Sequence, residues 1–254
     1  MTAALGGEPV TGVLFDYGET LVTFKRPDVA LDGAYARIAD LLRRRGYASP
    51  PGEVLLHSVH DRTEDAFAEH QRSGRMEEIN LVALAAQAYA DLGLPLDAET
   101  LDETLRIEQE AWWQGVTVDP EAVSTLDTLR SRGLRVGLCS NAPYRVRSML
   151  DQLAHVGLDR HLDAITFSGQ VGWRKPSPRI FEAATAALGV TAAATVMVGD
   201  SARDDIAGAA AAGIRAIWLR RGPAATAQDE PPGAAAAIAH LSAISVLLFG
   251  TPAL

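Results

Sequence analysis

Between residues 119 and 219 the chain alternates short apolar runs with helical stretches, and each helical stretch stops at a glycine. Residues 134–139, 164–167, 195–198 and 214–219 are apolar runs of strand length. Helical patterns at 120–132, 144–156, 178–188 and 202–212 end at Gly133, Gly157, Gly189 and Gly213. Parallel strands need a crossover between them, and a helix is the usual one. The alternation therefore predicts an α/β fold, a parallel sheet covered by helices on both faces. Residues 10–15 supply a first strand ahead of this region. After an Ala/Pro-rich connection at 222–233, a strand at 235–239 and a helix at 241–248 close the chain.

Residues 23–115 break the alternation. Leu31, Ala34, Tyr35, Ile38, Leu41 and Leu42 recur at helical spacing, and Gly46 stops that helix. Leu55, Val59, Thr63, Ala66 and Phe67 mark a second helix, residues 77–92 a third. A fourth starts at Asp97, a natural N-cap, and carries Leu101, Leu105, Ala111 and Trp112. Four helices with short connections bury their stripes against one another. The expected organisation is a core of residues 1–22 and 116–254 with an all-α insert at 23–115. Residues 22–27 and 115–119 are read as its linkers.

Composition narrows the function. A net charge of −9 argues against nucleic-acid or anionic-membrane partners. Cys139 is the one cysteine, so disulfides and thiolate metal clusters are excluded; set inside a strand, it is expected to be buried and inert. Residues 1–10 lack the pattern of a secretory signal and no apolar run is long enough for a membrane span, so a cytoplasmic protein is expected.

The chemistry gathers where apolar strands end. Asp16 follows Val13-Leu14-Phe15, at the carboxyl edge where open α/β sheets bind ligands. Gly18 allows a tight turn, and Thr20 faces the same pocket as Asp16. Ser140-Asn141 ends the strand at 134–139, offering a hydroxyl and backbone N–H groups to an anion, although such a pair also serves as a turn or cap. Lys175 lies in Gly172-Trp173-Arg174-Lys175-Pro176-Ser177-Pro178, where prolines stiffen the loop and an ammonium is held against an anion at lower entropic cost. Gly199-Asp200-Ser201 leads to Asp204 and Asp205, and carboxylates at one sheet edge suit a hard divalent cation such as Mg²⁺.

In this order the four stretches resemble the motifs of the haloacid dehalogenase-like hydrolase superfamily. Asp16 through Thr20-Leu21 is similar to the first motif, Ser140-Asn141 to the second, Lys175-Pro176 to the third, and Gly199-Asp200 through Asp205 to the fourth. The resemblance implies a Rossmann-like core whose inserted all-α domain is a mobile helical cap. It implies that Asp16 is the nucleophile, that Thr20 and Ser140 hold the transferred group, and that Lys175 bridges nucleophile and phosphoryl group. It implies Mg²⁺ on Asp16, the Gly18 carbonyl and Asp200, with Asp205 in support. Gly18, Glu19 and Asn141 fall on the substrate side. A small phosphorylated metabolite is the expected partner, and the protein is expected to be a monomer or homodimer.

One position departs from the pattern. Phosphatases of this superfamily carry a second aspartate two residues after the nucleophile, where this chain has Gly18. Glu19 is adjacent, but a one-residue offset points it elsewhere. Without that acid, substrates with good leaving groups are favoured, or an acid comes from cap or substrate. The gap keeps two alternatives open: a 2-haloacid dehalogenase-type hydrolase, which expels halide without a proton, and a binding or regulatory protein without turnover. Asp200 speaks against the first, and retention of Asp16, Lys175 and Asp200 against the second. Elsewhere, His57, His60 and His70 are read as solvated or partly buried, Arg43, Arg44 and Arg45 as a solvated helix end. Lys25 and Arg26 are weak candidates for meeting an anion. Of Trp112 and Trp113, one is expected in a core and the other at a cleft or dimer contact.

Overall fold

The computed structural model describes residues 5–221 and 230–250. In chain order its strands are β1 (Gly12–Phe15), β2 (Val22–Phe24), β3 (Val116–Val118), β4 (Arg135–Ser140), β5 (Ala164–Phe167), β6 (Thr195–Gly199), β7 (Arg215–Leu219) and β8 (Ala234–Ile238). Six of them form one sheet in the order β5-β4-β1-β6-β7-β8, and every neighbouring pair is parallel. All residues of β1 and β6 are buried, as a central strand covered on both faces demands. Leu14, Cys139 and Met197 pack with Ile180, Phe181 and Ile206 on one face. The chain leaves β1 toward the β4 side and leaves β6 toward β7. Connections diverging from adjacent strands open a crevice at the carboxyl edge. This is the expected Rossmann-like α/β core.

The segments read as linkers are not irregular. Residues 22–24 and 116–118 are β2 and β3, which pair as a separate two-stranded sheet. Val-Thr-Phe and Val-Thr-Val are rich in β-branched residues, which favour this extended pairing. The helix at 202–212 also differs: a π-helical turn spans Ala202–Ala207 and an α-helix follows at Gly208–Ala211. A short helix, Ser168–Val171, was not anticipated. The third helix of the insert starts at Leu81 rather than 77, because the Asn80 side chain accepts from the Ala83 N–H at 3.0 Å and caps it there. Most of the connection at 222–233 lies outside the described residues.

The chain divides into two compact units. One takes in the sheet: residues up to Phe24, Thr117–Ala142 and Val156 onward. The other, Lys25–Val116 with Pro143–His155, is helical, and Leu31, Tyr35, Ile38, Leu42, Leu55, Val59 and Tyr89 fill its core. Residues 143–155 thus group with the helices rather than with the sheet. Within that unit Arg145 forks the Asp102 carboxylate at 2.6 and 2.7 Å. Tyr144 meets Phe67 edge-on, and His155 stacks on Trp113 at 4.6 Å. Trp112 packs on the helical core. His60 is wholly buried, against expectation, because Glu108 reaches its Nδ1 at 2.6 Å. Exposed His57 pairs with Asp61, Arg43 with Asp40, and Arg45 with Glu99. No helix among the described residues is long and apolar enough to cross a membrane.

Candidate active site

Three of the central strands of the sheet deliver polar residues to one edge. Asp16 is the first residue after β1, and its N–H still donates to the Val198 carbonyl of β6 at 2.9 Å. Beyond it the Tyr17 carbonyl accepts from the Leu21 and Val22 N–H groups at 2.9 and 3.1 Å, closing a tight turn. Thr20 lies wholly buried in this turn, and its hydroxyl has no hydrogen-bond partner among the described residues. A buried, unpaired hydroxyl is costly, so its presence marks a place for a further polar group. Ser140 ends β4 and is buried. Asp200 follows β6.

Lys175 joins these elements. Its ammonium donates to Asp16 Oδ1 and Asp205 Oδ1, each at 2.6 Å, with only 2% of the side chain exposed. The Asn141 amide bonds to the lysine loop and to Asp204. Its Oδ1 accepts from the Lys175 N–H at 2.7 Å, and its Nδ2 donates to the Lys175 carbonyl and to Asp204 Oδ2, both at 3.3 Å. Asn141 therefore clamps the backbone of the lysine loop. Asp205 is anchored from its other side by the Ser201 N–H on Oδ2 at 3.0 Å. Gly199 is required for that approach: a Cβ there would lie 2.2 Å from the Asp205 carboxyl carbon.

Ligand oxygens of Asp16, Asp200 and Asp205 all lie within 4.8 Å of one another. Three carboxylates against one ammonium leave the cluster net negative. Burial, reinforced by the charge of Asp16, pushes the Asp200 carboxyl up to about 6. Burial likewise raises Asp205, while Lys175 opposes that shift. For Lys175 itself burial disfavours the charge, but Asp16 and Asp205 outweigh it and hold the ammonium above the ordinary lysine range. Hard oxygen donors with excess negative charge fit a hard divalent cation.

Gly18 and Glu19 complete the loop. A Cβ on Gly18 would stand 3.2 Å from Cε2 of Phe24, whose ring meets Tyr17 edge-on at 5.7 Å. Glu19 is exposed and left-handed, with φ +57°, and its Oε1 turns back toward the Phe24 N–H at 3.5 Å. Its carboxylate is thus turned toward the Phe24 backbone. Cys139 is buried and its thiol is pushed up to about 12 by burial, consistent with an inert residue. Two side chains from the β7 end were not anticipated. Trp218 Nε1 donates to the Asp200 carbonyl at 2.9 Å, and Arg221 donates to the carbonyls of Glu19 and Thr20. The backbone carbonyls they hold leave no mark in a sequence.

Residues 10–213 match the family model of haloacid dehalogenase-like hydrolases. The chain is 40% identical over 207 residues to a phosphoserine phosphatase of Thermus thermophilus, covering 76% of this chain and 77% of that one. It is 31% identical over 248 residues to a plasmid phosphoglycolate phosphatase of Cupriavidus necator, covering 96% and 95%. A 2-haloacid dehalogenase structure from Pseudomonas syringae is similar with a TM-score of 0.63 at 27% identity, covering 94% and 97%.

Proposed function

Because the chain belongs to the haloacid dehalogenase-like hydrolase family, we propose that it hydrolyses small phosphate monoesters through Asp16. The observation that carries this is the Lys175 ammonium set between Asp16 and Asp205 at 2.6 Å, with Asp200 beside them. A carboxylate approaching a phosphate meets repulsion of about 4 kcal/mol per charge pair at 4 Å and an effective dielectric near 20. Lys175 offsets that repulsion and stabilises charge in the transition state. Asp16 attacks phosphorus, the bond to the leaving oxygen breaks, and that oxygen departs with the electron pair. Water then attacks the aspartyl phosphate, releasing phosphate and restoring the carboxylate. Thr20 and Ser140 orient the transferred group. Mg²⁺, held by Asp16, Asp200 and the Gly18 carbonyl with Asp205 behind them, would supply further charge neutralisation.

With Gly18 in place of an acid, the leaving oxygen departs without a proton from this loop. General acid catalysis contributes about 10²–10⁴ in rate, so substrates with good leaving groups are favoured. The helical unit is assigned the role of a cap that selects the substrate. An acidic chain with one buried thiol suits the reducing cytoplasm.

The test is phosphate release from p-nitrophenyl phosphate, with Mg²⁺ and with chelator, for wild type and Asp16→Asn. Turnover that needs Mg²⁺ and Asp16 is expected. Gly18 also favours a second outcome, a dehalogenase, since halide leaves without a proton. Chloride release from 2-chloropropionate without phosphatase activity would establish that alternative and remove the first.

A further inference from the structure

We propose that Arg221 is a positioning residue that fixes the loop carrying Asp16 and Thr20. Arg221 follows β7 and lies 202 and 201 residues from the groups it holds. Its Nε donates to the Glu19 carbonyl at 2.7 Å, and its Nη2 to the Thr20 carbonyl at 2.5 Å. Its Nη1 pairs with Asp119 Oδ2 at 3.0 Å. Three donors of one planar group thus bind three acceptors in different directions, which a lysine point charge cannot reproduce.

The loop needs this brace. Glu19 holds a left-handed φ of +57°, a conformation disfavoured for a residue with a Cβ. The Thr20 hydroxyl has no hydrogen-bond partner among the described residues, so no side-chain hydrogen bond helps to hold it in the turn. On the inner side the turn is closed by N–H groups converging on the Tyr17 carbonyl. The outward carbonyls of Glu19 and Thr20 are taken up by Arg221. Asp119 extends the brace: its N–H donates to the Leu21 carbonyl at 2.9 Å, and its Oδ1 accepts from the Glu121 N–H at 2.9 Å. The guanidinium therefore ties the exit of the nucleophile loop to the chain leaving β3. Its effect on turnover rests on the phosphatase reading; its effect on the loop does not.

The experiment compares wild type with Arg221→Lys, Arg221→Gln and Asp119→Asn. Amide hydrogen exchange is followed by mass spectrometry in peptides covering 16–22 and, as a control, 195–199. Turnover of p-nitrophenyl phosphate is measured in parallel. Arg221→Gln is expected to speed exchange in 16–22 by about tenfold or more and leave 195–199 unchanged. Arg221→Lys and Asp119→Asn are expected to fall between it and wild type. The kcat of Arg221→Gln should drop about 10–100-fold, because small displacements of reacting groups are costly. KM should stay within about threefold. Unchanged exchange in 16–22, or a rise spread equally over both peptides, overturns the proposal. So does faster loop exchange with unchanged kcat. If the wild type hydrolyses no phosphate ester, the phosphatase reading fails, and exchange in 16–22 alone decides the role of Arg221.

Discussion

Replacing Lys175 by Met tests the electrostatics at the centre of the site. The ammonium lies 2.6 Å from oxygens of Asp16 and Asp205, and the side chains of Lys175 and Asp205 are 2% and 1% exposed. Met fills nearly the same volume, so packing changes little. What changes is charge: the acidic cluster loses the ammonium bonded to Asp16 and Asp205. Removing one partner of a buried pair costs about 3–5 kcal/mol, because the remaining charge is left buried and uncompensated. For a chain of this size that corresponds to a fall in melting temperature of about 6–20 °C, at about 2–4 °C per kcal/mol. The assay is thermal unfolding of wild type, Lys175→Met, Asp16→Asn and the double variant, without divalent cation. The double variant should recover at least about 1 kcal/mol relative to Lys175→Met, since Asp16 is then no longer a charge without a partner. Mg²⁺ should stabilise Lys175→Met more than wild type, replacing part of the lost positive charge. A loss under about 1 kcal/mol in the single variant, or a further loss on adding Asp16→Asn, would refute the reasoning.

Gly18→Asp should fold, since Gly18 is not left-handed and the Phe24 ring, 39% exposed, has room to yield; it should raise turnover of alkyl phosphates by about 10²–10⁴ and of aryl phosphates far less, as a two-substrate comparison of kcat/KM will show. Trp218→Phe keeps the ring but removes the N–H that donates to the Asp200 carbonyl at 2.9 Å; the Mg²⁺ concentration for half-maximal stabilisation should rise about tenfold, measured by calorimetry. Glu64 is raised above the ordinary carboxylate range, by burial first, with His60 opposing. A raised folded-state value means the fold favours the neutral acid, so stability is lost as pH rises through the unfolded value toward the folded one. Glu64→Gln should accordingly match wild type near pH 4 and exceed it at pH 7 in urea unfolding.

The central strands were legible because each is buried on both faces and reads as an unbroken apolar run. The first polar residue beyond such a run then marks the sheet edge, which is how Asp16, Ser140 and Asp200 were located. The ribbon of β2 and β3 was not legible, because three residues are too few to show a period of two. The grouping of 143–155 with the helices depends on Asp102, Phe67 and Trp113, all distant in sequence. The burial of His60 is hidden in the sequence for the same reason, its partner Glu108 lying 48 residues on. The sequence marks Asn141 as the end of a strand, but its bond to the Lys175 backbone, 34 residues on, has no sequence signature. Donors that hold backbone carbonyls, such as Trp218 and Arg221, have no sequence signature because every residue supplies the acceptor.

Asp200 and Asp205 belong to one motif but stand in different circumstances. Both oxygens of Asp205 are engaged, Oδ1 by the Lys175 ammonium and Oδ2 by the Ser201 N–H. Gly199 leaves room for this and for nothing larger. Asp205 is thus committed to holding Lys175, and only its remaining lone pairs face a cation. Asp200 is less buried and is tied to Trp218 through its main-chain carbonyl, which holds the residue while leaving its carboxylate to the site. Burial is the first cause of the raised values of both acids, and the charge of Asp16 adds to it. On the proposed reading, a dication held by Asp200 and Asp16 would relieve the excess of negative charge without displacing the lysine that Asp205 anchors. Under that proposal positive charge would stand on both sides of Asp16, which is what attack by a carboxylate on an anionic phosphate requires.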